Sequence, residues 1–153
     1  MRYFEAEQAL RDLTAAAGAE RCHKFGADMV VRMTSDAGMR DSARYEFDAA
    51  GQRAFAEACA DPVNSDGHHL QALLARAEAG MLSEFEMDPR ISFAIVALDD
   101  WSTYITKGDT NAIANMAIMS VELADPRVPT DLDDFLNTPK TAAEYARITA
   151  LFA

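Results

Sequence analysis

Three histidines, His23, His68 and His69, stand among many carboxylates, and a metal centre is the first chemistry this suggests. Glu20-Arg21-Cys22-His23 has the Glu-x-x-His spacing that places two ligands on one face of a helix, half of the motif used by di-iron carboxylate bundles. Such a centre needs a second pair and two further inward glutamates. The nearest second pair is Asp66-Gly67-His68-His69, which has Asp for Glu and falls at a loop-helix junction. Glu20, His23, His68 and His69 are thus the candidate ligands of one alternative, a metal-binding helical-bundle enzyme. The plainer reading makes His23 an ordinary helix residue. His68 and His69 follow a capping Ser65 or Asp66, where an imidazolium is disfavoured by the helix dipole, so they are read as neutral, solvent-facing or used in a partner contact.

Nucleophilic chemistry finds even less footing. There is no Gly-x-Ser-x-Gly and no glycine-rich phosphate cradle. Cys22 adjoins His23, but helix neighbours diverge by about 100 degrees and cannot form a nucleophile-base pair. The expectation is a protein that is not an enzyme and holds no cofactor or resident metal. Cys22 and Cys59 read as two small buried hydrophobes in a reducing compartment. The opening Met-Arg-Tyr-Phe-Glu-Ala-Glu enters an amphipathic pattern directly, so no secretory leader is expected and the protein is placed in the cytoplasm.

The elements that would position these residues are helices. Among 153 residues alanine occurs 30 times, against 12 for valine and isoleucine together, a bias toward helix over strand. Periodicity predicts a helix over about 2–17 with Phe4, Leu10 and Leu13 inward and Gly18 as its C-cap. A second, about 19–34, carries Cys22, Phe25, Met29 and Met33 on one stripe and Arg21, Lys24, Asp28 and Arg32 toward water. Residues 35–41 read as a loop. One helix over about 43–60, which Gly51 weakens and which also reads as a short piece followed by a longer one, buries Phe47, Phe55 and Cys59. The next runs from His68 to about Met87 through Leu70, Leu74, Met81, Leu82 and Phe85, with Asp88-Pro89 as its stop.

Residues 91–107 are apolar on almost every side, and 111–124 repeat that character after Gly108-Asp109-Thr110. They are expected to pair as a central antiparallel hairpin. Residues 125–138 form an extended connection rich in Pro and Asp that ends with turns around Leu132, Phe135 and Leu136. Thr138-Pro139 starts a last helix over about 139–152. The fold class is all-α, a single-domain helical bundle of about six to seven helices spanning 1–153.

Charge has a direction. Fourteen Lys and Arg face 25 Asp and Glu, a net charge of -11. Residues 1–77 contribute -3 and residues 78–153 contribute -8. So acidic a surface repels nucleic-acid backbones and anionic membranes, and neither is an expected partner. The excess is densest at Glu84, Glu86 and Asp88, at Asp99 and Asp100, and at Asp125, Asp131, Asp133 and Asp134. A solvated surface accounts for this; so does a docking face for a basic partner, in which carboxylates raise the association rate. Trp101 and Tyr104 would be its aromatic anchors if exposed.

The stretch Ser92-Phe93-Ala94-Ile95-Val96-Ala97-Leu98 with Trp101 and Tyr104, then Lys107-Gly108-Asp109 and the alanine-rich 111–124, resembles small all-helical cytoplasmic immunity proteins of bacterial polymorphic toxin and interbacterial-competition systems. Residues 21–34 are compatible with their earlier cysteine-containing helix. The resemblance covers about a third of the chain. It implies inhibition of a cognate toxin or effector domain by occluding it, and it transfers no binding residue. The expected partner is therefore a basic effector domain, met by Asp99, Asp100, Asp131, Asp133 and Asp134. A homo-oligomeric scaffold or adaptor is a further alternative, signalled by an uncovered apolar face.

Overall fold

Aspartates begin most of the helices. In the computed structural model, which describes residues 1–82, 87–131 and 133–153, the chain forms eight helices. They are α1 (Tyr3–Ala17), α2 (Ala19–Thr34), α3 (Ala37–Glu46), α4 (Ala49–Ala60), α5 (Gly67–Ala79), α6 (Pro89–Lys107), α7 (Thr110–Ala124) and α8 (Pro139–Phe152). Five have an aspartate N-cap whose carboxylate accepts a backbone N–H of the first turn: Asp36, Asp48, Asp66, Asp88 and Asp109. Thr138 does the same for α8, with Pro139 opening the helix. Each such cap satisfies an orphan donor and is worth about 1 kcal/mol. Part of the acidic excess is therefore spent on starting helices.

The fold class is all-α, as the composition indicates, and several boundaries differ from the sequence expectation. The stretch 35–41 is not a loop: the Asp36 carboxylate takes the Met39 N–H at 2.8 Å and opens α3. Only Met39 and Ala43 of α3 are buried, too few to display a period. Of the two readings of 43–60, the short piece followed by a longer helix holds, with the division at Phe47-Asp48. Gly51 lies in the first turn of α4, not in the middle of a longer helix. Helix α5 ends at Ala79, where the Gly80 N–H turns back to the Ala77 and Arg76 carbonyls, although the apolar pattern continued to Met87. Phe85, Glu84 and Glu86 of that pattern, and Leu132 further on, lie outside the described residues. Asp88-Pro89, expected as the stop of the preceding helix, starts α6. Phe4, expected in the core, is 60% exposed.

The contacts divide the chain into two compact units, residues 1–26 with 109–153, and residues 27–108. In the first, α1 packs along α7, and α8 packs on both. Leu10, Ile113, Met116, Val121, Phe135 and Ile148 are buried there, each such side chain contributing about 1.5–3 kcal/mol. Phe25 meets Phe152 with ring centroids 5.1 Å apart. The Cys22 thiol donates to the Thr14 carbonyl at 3.3 Å, the role of a small buried residue.

In the second unit α5 packs between α4 and α6, and α3 packs on α4 and α6. Trp101 is fully buried and its indole N–H donates to the Pro62 carbonyl at 3.0 Å, tying α6 to the turn before α5. At another corner the Asp48 N–H donates to the Gly80 carbonyl at 2.8 Å and the Leu82 N–H to the Glu46 carbonyl at 3.0 Å. These bonds form an isolated antiparallel bridge between Phe47 and Met81. Gly51 and Gly80 make this approach possible, since a Cβ on either would come within 3.0 Å of the other's Cα.

Helices α6 and α7 belong to different units, and each is described by its packing within its own. Helix α6 packs on α5 and α3, and α7 on α1 and α8. Gly108, with φ of 68°, is the left-handed C-cap of α6, and Asp109 caps α7.

Candidate functional site

The carboxylates expected to form one docking face fall in both units. Asp99 and Asp100 lie on α6 in the unit of residues 27–108, and Asp131, Asp133 and Asp134 lie before α8 in the other. Asp99 is exposed and Asp100 half-buried. Helix α6 keeps them on its outer side because Leu98 and Trp101, the residues flanking them, face inward with no exposed surface.

The aspartate-rich connection of the first unit is held by one plug and one strap. Phe135 is fully buried; its N–H donates to the Met1 carbonyl at 2.8 Å, and the Tyr3 ring meets it edge-on with centroids 5.1 Å apart. Burial and then a hydrogen bond to Glu122 push the Tyr3 phenol well above its ordinary range, so it remains a neutral donor. With Phe135 fixed, the aspartates beside it must project outward. The terminal ammonium of Met1 pairs with Asp134 at 3.0 Å, and the Arg2 guanidinium lies 3.7 Å from Asp133, whose side chain is 97% exposed. Asp131 is exposed as well. Pairs as open as these contribute about 0–1 kcal/mol and exchange readily with another cation.

Two other aspartates are internal fixtures. Asp125 is buried beside Arg127, whose Nε donates to it at 3.2 Å and holds its carboxyl below the usual range. Asp88 caps α6, accepts the Ser42 hydroxyl at 2.7 Å and binds Arg90 at 2.6 Å. Its carboxyl is held well below the usual range, chiefly by Arg90. Arg90 also reaches the α3 cap, Asp36, at 3.5 Å, so one guanidinium joins two helix starts. The local sequence does not disclose this junction, because Asp36 and Ser42 are about 50 residues from Asp88 and Arg90 in the chain.

Trp101 and Tyr104 are not surface anchors. Trp101 has no exposed surface, Tyr104 is 9% exposed, and their ring centroids lie 6.0 Å apart in the interior of the unit. They sit at inward positions of a helix that packs against both α5 and α3.

The metal candidates are not assembled. Glu20 and His23 are exposed on α2, Glu20 in its first turn, where a carboxylate is favoured by the dipole. His68 and His69 are exposed on the first turn of α5, and His69 Nε2 lies 3.1 Å from Glu57 of α4. Among the described residues no three His, Cys, Asp or Glu side chains gather as ligands of an ion would. Both cysteines are free and buried, and burial pushes the Cys59 thiol up to about 12. Cys59 is therefore a thiol at neutral pH and a poor nucleophile.

A concavity that the sequence does not disclose lies between α3 and α4: a partly open cavity of about 140 Å³, lined by Arg40, Ala43, Gln52, Phe55, Ala56, Cys59 and Ala60. The alanines that create it sit at helical spacing, but recognising it required knowing that α3 exists. Among the described residues no helix is long and apolar enough to cross a membrane. Comparison with protein-family models, curated proteins and solved structures returns no match.

Proposed function

We propose that this chain is a binding protein without turnover, whose aspartate-rich connection before α8 docks a basic protein surface. The observation that carries this reading is the projection of Asp131, Asp133 and Asp134 into solvent from a connection anchored by buried Phe135. An anchored loop presents its charges at little further cost in conformational entropy, which favours fast, oriented association. The resemblance noted above narrows the proposal to inhibition of a cognate toxin or effector domain by steric occlusion. Asp99 and Asp100 would contribute to recognition from their own unit, and Trp101 and Tyr104 support the fold only.

The test is co-expression and binding with any basic effector-domain protein whose gene adjoins that of this chain. The triple change Asp131→Asn, Asp133→Asn and Asp134→Asn should lower the association rate at least tenfold in low salt and leave the folded spectrum unchanged. Association should also slow steeply between about 0.05 M and about 0.5 M salt, as the Debye length shrinks. An association rate indifferent to both salt and the triple change would refute the acidic docking surface.

A further inference from the structure

The cavity between α3 and α4 has the construction of a small-ligand site. Its floor is apolar: Ala43, Phe55 and Cys59 are all buried, and Phe55 is fixed by stacking on Phe47 with centroids 5.2 Å apart. Its rim is polar and open, with Arg40 and Ala56 exposed and Gln52 half-buried. The volume, about 140 Å³, is close to that of an engineered protein cavity of about 150 Å³ that takes up benzene.

The guanidinium at the rim is already positioned. Arg40 Nε donates to the Thr34 carbonyl at 3.0 Å and one Nη2–H to the Cys59 carbonyl at 3.3 Å, the final turns of α2 and α4. These bonds satisfy two carbonyls that helix ends leave unpaired and fix the plane of the fork. Nη1 makes no hydrogen bond among the described residues. A fixed fork beside an apolar hole matches a ligand with one planar carboxylate on a small hydrophobic body.

We propose that this cavity binds a small organic monocarboxylate, of the size of benzoate or a branched short-chain acid, with its hydrocarbon part against Phe55 and Cys59 and its carboxylate on Arg40. Ala43, Ala56 and Ala60 leave the room, and Gln52 supplies a second polar contact at the rim. Occupation would bridge α3 to α4 and stiffen the corner where these helices meet.

The probe is benzoate, titrated into the full-length chain with amide chemical shifts as the readout and benzyl alcohol as the neutral comparison. Benzoate should move resonances of α3 and α4 saturably, with a Kd of about 1 mM or tighter, and benzyl alcohol should bind at least tenfold more weakly. Ala56→Leu fills the mouth from an exposed position, spares the core and should abolish both responses. Arg40→Gln should reduce benzoate to the level of benzyl alcohol without changing the latter. Absence of a saturable response to benzoate, a response undiminished in Ala56→Leu, or equal binding of acid and alcohol would each overturn the proposal.

Discussion

Replacing Gly80 by alanine tests the corner on which the second unit turns. The φ of Gly80 is -93°, a conformation open to any residue, so the backbone itself raises no objection. The objection is steric. A Cβ there would stand 2.5 Å from Asp48 Oδ1, 3.1 Å from its Cγ and 2.8 Å from Gly51 Cα. The Asp48 carboxylate can swing away only by abandoning its 2.7 Å bond from the Gly51 N–H, the cap of α4. Losing that cap costs about 1 kcal/mol, and forcing the backbones apart costs about 1–3 kcal/mol. The reduced entropy of the unfolded chain returns only about 0.4–1 kcal/mol. The expected net loss is about 1–3.6 kcal/mol, a fall in Tm of about 2–14 °C for a chain of this size.

Urea and thermal denaturation followed by circular dichroism measure it, and two further variants separate the causes. In an Asp48→Ala background the same substitution should cost about 1 kcal/mol less, because the carboxylate clash is gone while the approach to Gly51 remains. Gly18→Ala meets no atom within 4 Å, but φ of 89° with ψ of 162° is a backbone open essentially to glycine alone, so its cost should be about 1–3 kcal/mol. A Gly80→Ala protein as stable as the wild type would refute the account of this corner.

Among the described residues Thr106 Oγ1 is buried without a hydrogen-bond partner, so Thr106→Val, which keeps the shape and deletes the orphan hydroxyl, should raise stability by about 1 kcal/mol in urea titrations; a loss of that size would show that the hydroxyl is satisfied. Asp88 binds its proton more weakly when folded than when unfolded, so its contribution is present above the ordinary carboxylate pKa of about 3.9 and fades as pH falls through the lower folded value. Asp88→Asn should lower stability at pH 7 and flatten the acid limb of the stability profile, and an unchanged acid limb would count against the Arg90 junction. Trp101 is the single tryptophan and is fully buried, so native fluorescence should be blue-shifted and poorly quenched by iodide. Trp101→Phe strands the Pro62 carbonyl and should cost about 1–3 kcal/mol in the same titrations, whereas exposed-type emission would contradict the interior placement.

Alanine abundance, apolar spacing and punctuation by Gly, Pro and Asp determined on their own that this chain is helical. They fixed the limits of α1, α2, α7 and α8 nearly to the residue, because those helices have long periods or strong end signals such as Gly18 and Thr138-Pro139. The sequence also located the aspartates before α8, since charge is a property of composition. The start of α3 was hidden because two buried side chains make no period, and although a split of 43–60 was legible from Gly51, its place at Phe47-Asp48 was not, because the stabilising partners, Gly80 and Leu82, are more than 30 residues away in the chain.

Only tertiary structure decided which acids are available to a partner. Asp36, Asp48 and Asp88 start helices, Asp125 is buried with Arg127, and Asp131, Asp133 and Asp134 face water because Phe135 is anchored under them. It likewise turned Trp101 inward and opened the cavity at Arg40. The physical reason is common to all of these: a helix period tells which residues share a face, while burial depends on which other helix arrives to cover that face.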